Sequence, residues 1–328
     1  MIKAQQNNQL KISGKPSPVW LARRFLRVLL IWLFSCLILY LLIEILPGDA
    51  ATVLAGKSGE KAVTAARLKM GLDSPWYVRC ADWFGGLFTG NLGRCLTTDT
   101  PVSEVIRKPV LASLTVFVIV MLGLILITVP GSLILGYRKN KVSAAFSTAS
   151  IAVSGLPEFI TVIILLGIFA MGLKALPVLS IPGPGKTVWS RPITLVMPAL
   201  SMWLVCSASI YRRLCAMVRT YAGTSYIRNA ELNGLSPMNI LLCHLLPTIR
   251  SGIGQLLAQC VPYLLGGAVV IEYVTSFPGM GLTLTSAIDK RETPIIMAIC
   301  SLLILISAIS YALADYLMQK NARIAEVA

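Results

Sequence analysis

Six long apolar runs dominate the chain and leave it few ways to fold. They lie at about Phe25–Leu46, Leu111–Gly136, Ala144–Gly172, Ile193–Tyr211, Ile253–Ile271 and Pro294–Leu317. A hydrocarbon layer roughly 30 Å thick takes about 20 helical residues to cross. Backbone groups in lipid have no water to bond, so each run is expected to be a helix. Only 13% of the 328 residues are charged and 56% are hydrophobic, against about 25% charged in soluble domains. The reading is an all-α polytopic membrane protein with six transmembrane helices. Pro157 and Pro262 fall within two of the runs, where a missing N–H is expected to kink the helix.

The first run is expected to stay as an anchor. Residues 1–24 are polar and basic, and Leu46-Pro47-Gly48-Asp49 follows the run in place of a signal-peptide cleavage site. A net charge of +15 raises nucleic acid as a partner. No basic stripe interleaved with aromatics supports that, and the charge instead sorts by loop. Lys3, Lys11, Lys15, Arg23 and Arg24 precede the first run without an acid, and Arg138, Lys139 and Lys141 follow the second. Arg212, Arg213, Arg219, Arg228 and Arg250 face one acid, Glu231, between the fourth and fifth. On the other side, eight bases meet six acids in residues 47–110. The excess of Lys and Arg on cytoplasmic loops places both termini (1–24 and 318–328) and the 212–250 loop in the cytoplasm, with 47–110 outside and membrane lipid around the 111–317 core. The uncompensated Lys174, Lys186 and Arg191 run against that assignment.

Residues 47–110 and 212–250 are both longer than the 2–8 residues usual between bundled helices, so each is expected to have its own structure. In the second, Tyr226 to Asn233 reads as a short amphipathic helix. Gly234 is suited to a left-handed cap, and Ser236 followed by Pro237 is suited to start another helix. That helix runs to His244 and on to Leu246-Pro247. Such a unit can dock in a groove on a soluble partner; a solvated helical hairpin is the alternative.

This loop resembles the EAA signature of importer permeases in the ATP-binding-cassette (ABC) superfamily, which reads Glu-Ala-Ala, three residues, Gly and a later Leu-Pro. Ala230 stands at the third position, Gly234 at the glycine and Leu246-Pro247 at the end. Arg228 and Asn229 replace the first two residues, as is usual in the dipeptide, oligopeptide and nickel importer branch, and His244 matches that branch too. Leu46-Pro47-Gly48-Asp49, Met70-Gly71-Leu72-Asp73, Gly90-Asn91-Leu92-Gly93, Ser154-Gly155-Leu156-Pro157, and Val270-Ile271-Glu272 with Phe277-Pro278-Gly279-Met280-Gly281 resemble further segments of the same branch, in order.

The resemblance implies a bacterial inner-membrane subunit with the type I ABC importer fold, forming half of a pathway for peptides or for nickel and other metal chelates. It implies pairing with a second, related permease in a heterodimer, two ATPase subunits below, and a periplasmic or lipid-anchored substrate-binding protein outside. No cofactor is implied in this chain, and ATP is bound by the partner ATPases. Tyr226, Arg228, Ala230, Glu231, Gly234, Leu235, Ser236 and Pro247 then belong to the loop that couples ATP hydrolysis to the membrane helices. A stand-alone secondary transporter or channel is the alternative, though no internal repeat favours it. An intramembrane enzyme would need a nucleophile–base pair or clustered ligands, and the chain has one His.

Other groups carry narrower expectations. Gly185-Lys186-Thr187 resembles a P-loop end, but Ser180 occupies the position of the required upstream Gly. Glu158 lies mid-span, where an acid is costly and a functional candidate; it is a pathway candidate, with pairing to a partner's base or protonation as alternatives. Glu272 matches a family acid near the outer end of the fifth span and is a gate candidate. Glu44 and Asp315 sit near helix ends, where snorkelling explains them. His244 is expected to have a structural role. Cys80 and Cys95 fall in the outer segment, where an oxidising compartment would permit a disulfide. Closing a loop of about 15 residues would stabilise the segment by roughly 3 kcal/mol.

Overall fold

The computed structural model describes residues 18–138, 140–183 and 186–325; Lys3, Lys11, Lys15, Lys139 and Gly185 lie outside them, as do residues 326–328. Helix α1 (Pro18–Ile45) covers the first apolar run. Residues 47–110, expected to have structure of their own, form the short helices α2 (Ala50–Ala55), α3 (Glu60–Lys69) and α4 (Trp76–Thr89) before the next long helix. Asp49 starts α2 with a capping box. Its carboxylate accepts the Thr52 N–H at 2.8 Å, while the Thr52 hydroxyl accepts the Asp49 N–H at 2.9 Å.

Helix α5 (Val102–Gly123) starts nine residues before the expected Leu111. Glu104, Arg107 and Lys108 hid its beginning, but Val102 and Ile106 turn one apolar face inward and are buried. A π-helical turn, Leu124–Thr128, joins α5 to α6 (Val129–Tyr137). Pro130 lacks the N–H that would continue the α-helical ladder, and the chain widens by one residue just before it. The same pairing recurs where the π turn Ile240–Leu245 precedes Pro247.

The third apolar run is not one rod with a kink. It is broken at Gly155-Leu156-Pro157 into α7 (Lys141–Ser154) and α8 (Glu158–Leu165), which continues as a π-helical stretch to Gly172. The two halves meet at 110°. Proline disfavours helical geometry in the residue before it, and here the chain stops its helix and begins another. Pro262 has no such effect, since α12 continues through it.

Helix α9 (Ile193–Ala222) runs eleven residues beyond the expected Tyr211. Arg212, Arg213 and Arg219 are therefore on a helix and not in a loop. Leu214, Cys215 and Val218 fill the buried side of that extension. After the coupling segment come α12 (Leu246–Val274), α13 (Met280–Asp289) and α14 (Thr293–Ala325). Helix α12 packs against α14, α9, α8 and α13, and α1 lies along α14. Among the described residues, five helical stretches are long and apolar enough to cross a membrane, and the bent pair makes a sixth if it crosses once. The architecture is the all-α type I importer fold, with large apolar side chains such as Phe25, Phe34 and Leu126 exposed on its flanks.

Candidate functional site

The segment after α9 forms a compact hairpin. Helix α10 (Ser225–Leu232) ends in a Schellman motif. The Gly234 N–H donates to Glu231 O at 3.0 Å and the Leu235 N–H to Ala230 O at 3.3 Å. Gly234 has φ +74°, a conformation in which a β-carbon is strained. Ser236 then caps α11 (Pro237–Asn239), its hydroxyl accepting the Asn239 N–H at 3.3 Å. Ile227 and Ala230 turn inward and are buried together with Ile240, against Tyr137 and Leu235.

Two tyrosines tie α10 to the membrane helices. The Tyr137 hydroxyl, at the end of α6, donates to the Glu231 carboxylate at 2.6 Å. Tyr226 and His244 Nδ1 hydrogen-bond at 2.7 Å, their rings edge to face at 5.4 Å. His244 thus has a bracing contact. Arg228, Glu231, Gly234 and Ser236 are exposed, while Pro247 stands exposed at the head of α12. The expected coupling residues therefore divide into a buried row that seats the helix and an exposed row that a partner can touch. Sequence reading missed Leu232, which is 77% exposed. An apolar side chain on the outer side of a polar helix was the available signal.

Glu158 is the first residue of α8, just past the break, and is half-buried. It lies against the bare backbone of Gly267 on α12, where a β-carbon would come within 3.3 Å of its Cγ. Glu272 lies elsewhere and is buried. Its carboxylate accepts the Gly281 N–H at 2.6 Å and the Ser113 hydroxyl at 2.5 Å, and Ser113 Oγ accepts the Met280 N–H at 2.8 Å. The acid expected to gate the pathway thus joins α12, α5 and the start of α13 inside this chain. A second buried acid, Glu292, escaped sequence reading. It accepts the N–H groups of Leu96 at 2.7 Å and Thr97 at 2.9 Å, and the Thr97 hydroxyl, pinning the 47–110 segment to the start of α14.

The expected Cys80–Cys95 bridge is not formed. Both are free, buried thiols in different apolar clusters. Cys80 faces Cys36, Tyr40 and Met297, whereas Cys95 faces Val102 and Ile106. Helix α4 points Cys80 toward α1, while the short Arg94–Pro101 bridge turns Cys95 toward α5. Glu44 does more than reach for water, since it pairs with Arg79 at 2.6 Å.

Residues 128–323 match the family described as the binding-protein-dependent transport system inner membrane component, and residues 19–115 match its N-terminal counterpart. The chain belongs to this family. It is a multi-pass ABC importer permease, a membrane component and not a catalytic subunit. The permease is 27% identical over 92% of its length to the "Probable peptide ABC transporter permease protein" of Sinorhizobium fredii, covering 95% of that protein. It is 25% identical to the glutathione transport system permease protein GsiC of Escherichia coli, over 80% of this chain and 83% of that one. The Salmonella typhimurium GsiC protein is also 25% identical, over 85% and 89%.

Proposed function

We propose that this permease forms half of an ATP-driven uptake pathway for short peptides, with α10 as the helix gripped by a partner ATPase. The exposed row on α10, held by Tyr137 from α6 and by His244 from the π turn that leads into α12, is the observation that carries the reading. A push on α10 reaches two membrane helices through separate contacts, so they move as one body. The 110° break beside Glu158 supplies a place where packing can change. The resemblance also admits nickel and metal chelates; relatives named for peptide and glutathione transport favour peptides.

In this reading a second, related permease completes the pathway, two ATPase subunits bind below it, and a substrate-binding protein delivers cargo from outside. Both termini and the α10 hairpin face the cytoplasm, which requires the bent pair α7–α8 to cross once. Cys243 is exposed next to His244 and reports the side directly. A membrane-impermeant maleimide is expected to label it in inside-out vesicles and not in whole cells. Reconstituted permease with its ATPases and binding protein is expected to take up peptide only with ATP. Uptake by this chain alone would instead support a secondary transporter, and uptake of nickel without peptide would reassign the cargo.

A further inference from the structure

Helix α4 is fixed beside the last turns of α1. Arg79 Nη2 donates to Glu44 Oε1 at 2.6 Å. Cys80 shares a buried cluster with Tyr40, Cys36 and Met297, against which Trp83 and Phe84 also pack. Tyr40 and Cys36 lie one and two turns below Glu44, about 6 and 12 Å along α1. Residues 28–43, between Arg27 and Glu44, are uncharged. They span about 24 Å, less than the roughly 30 Å of a hydrocarbon layer. The cluster therefore sits at the depth of the lipid tails, although α4, at 14 residues, is too short to cross them.

The uncovered side of α4 is divided by its periodicity. Phe88 follows Tyr77 by three helical turns, and Ala81 falls on the same line. All three are exposed, Tyr77 at 60% and Phe88 at 65%. Asp82 and Thr89 are exposed along a second line, about a third of the way round the helix. An apolar line flanked by a polar one suits a helix lying at a boundary between water and lipid. Tyr and Trp favour that level, and exposed Trp76 meets the Tyr77 ring edge to face at 5.9 Å. Helix α1 leaves Ile38, Leu42 and Ile45 exposed over the same turns. Its lipid-facing side thus continues onto the helix fixed to it.

We propose that α4 is an interfacial membrane anchor. Its Tyr77–Ala81–Phe88 line enters the phospholipid leaflet at the Glu44 end of α1, and its Asp82–Thr89 line stays in water. The bilayer then holds the 47–110 segment from one side, while Glu292 holds it to α14 from another. The inference depends neither on the cargo nor on the ATPase contact.

The test uses the permease assembled with its partner subunits in phosphatidylethanolamine–phosphatidylglycerol liposomes. Phe88→Cys and Asp82→Cys, each combined with Cys243→Ser, carry a nitroxide, and the signal of labelled Cys243→Ser alone is subtracted. Both target side chains are exposed, so neither change removes a packed group. Relative to a water-soluble nickel chelate, dissolved oxygen is expected to relax the label at 88 several times more effectively than the label at 82. Equal ratios at the two positions would put α4 in water. A label at 88 shielded from both reagents would put protein, such as the second permease, over it. Either result overturns the assignment. Phe88→Trp gives a label-free check: its added emission over wild type is expected to be quenched by lipids brominated on their tails, and unquenched emission would overturn the assignment as well.

Discussion

The hydroxyl of Tyr137 sits 2.6 Å from the carboxylate of Glu231, joining the last turn of α6 to helix α10 of the hairpin. Removing that oxygen leaves the apolar seat of Ile227 and Ala230 intact. Tyr137→Phe is therefore expected to preserve ATPase binding and lower the amount of peptide moved per ATP hydrolysed. Parallel uptake and phosphate-release measurements in proteoliposomes check this; an unchanged ratio would mean that the contact carries no motion.

Gly234 has open space around the position of a β-carbon, so only its positive φ resists substitution. The strain for alanine is roughly 1–2 kcal/mol. Gly234→Ala is expected to insert normally and transport at a reduced rate. Gly234→Asp adds a charge at the proposed docking face and is expected to insert but not transport. Membrane-fraction immunoblots and uptake assays distinguish the two. Normal uptake by the aspartate variant would remove the hairpin from the coupling role.

Leu232 has little to contact within the chain. Leu232→Asp is expected to leave the thermal stability of the isolated permease unchanged and to weaken capture of its ATPase subunits on size-exclusion chromatography. Full retention of the complex would place the partner elsewhere.

Glu272 satisfies groups from three helices, so truncation has a predictable cost. Glu272→Ala leaves the Ser113 hydroxyl and the Gly281 N–H buried without their carboxylate acceptor, at about 1–3 kcal/mol for each unsatisfied group. Glu272→Gln keeps the shape and is expected to lose less. Gly281→Ala is expected to destabilise as well, because its β-carbon would overlap the Val269 backbone. Thermal unfolding in detergent ranks the three.

Cys80 and Cys95 are expected to react as free thiols without reductant once the chain is unfolded. In the folded protein, burial raises the Cys80 pKa. Less of it is thiolate at neutral pH than for an ordinary cysteine, so its alkylation is expected to rise only at higher pH. Mass spectrometry after iodoacetamide treatment reads both effects. A disulfide-linked peptide would contradict the separation of the two residues.

The α10 hairpin was legible because its signals are local. A glycine at the left-handed position and a Ser-Pro start fix their own turns. Helix ends were less legible where polar and apolar residues share a helix, as at Val102–Lys108 and Arg212–Arg219, because burial of one face decides the boundary. The break at Pro157 was visible as a proline but its 110° turn was not, since neighbouring helices set the angle. Pairings such as Glu292 with Leu96 and Thr97 depend on which way distant helices face. The directions of α4 and of the Arg94–Pro101 bridge likewise kept Cys80 from Cys95, though their separation in sequence suited a bridge.

Helix α9 is 30 residues long, about 45 Å at 1.5 Å per residue, against roughly 30 Å of hydrocarbon. If the rod stands upright, about a third of it lies beyond the lipid tails, and the hairpin is joined to its end. On the proposed coupling role, an ATPase gripping the hairpin would not have to approach the headgroups. On that role, a sideways stroke at the tip would become a tilt of the whole rod, smaller in amplitude and larger in force where the rod passes between its neighbours.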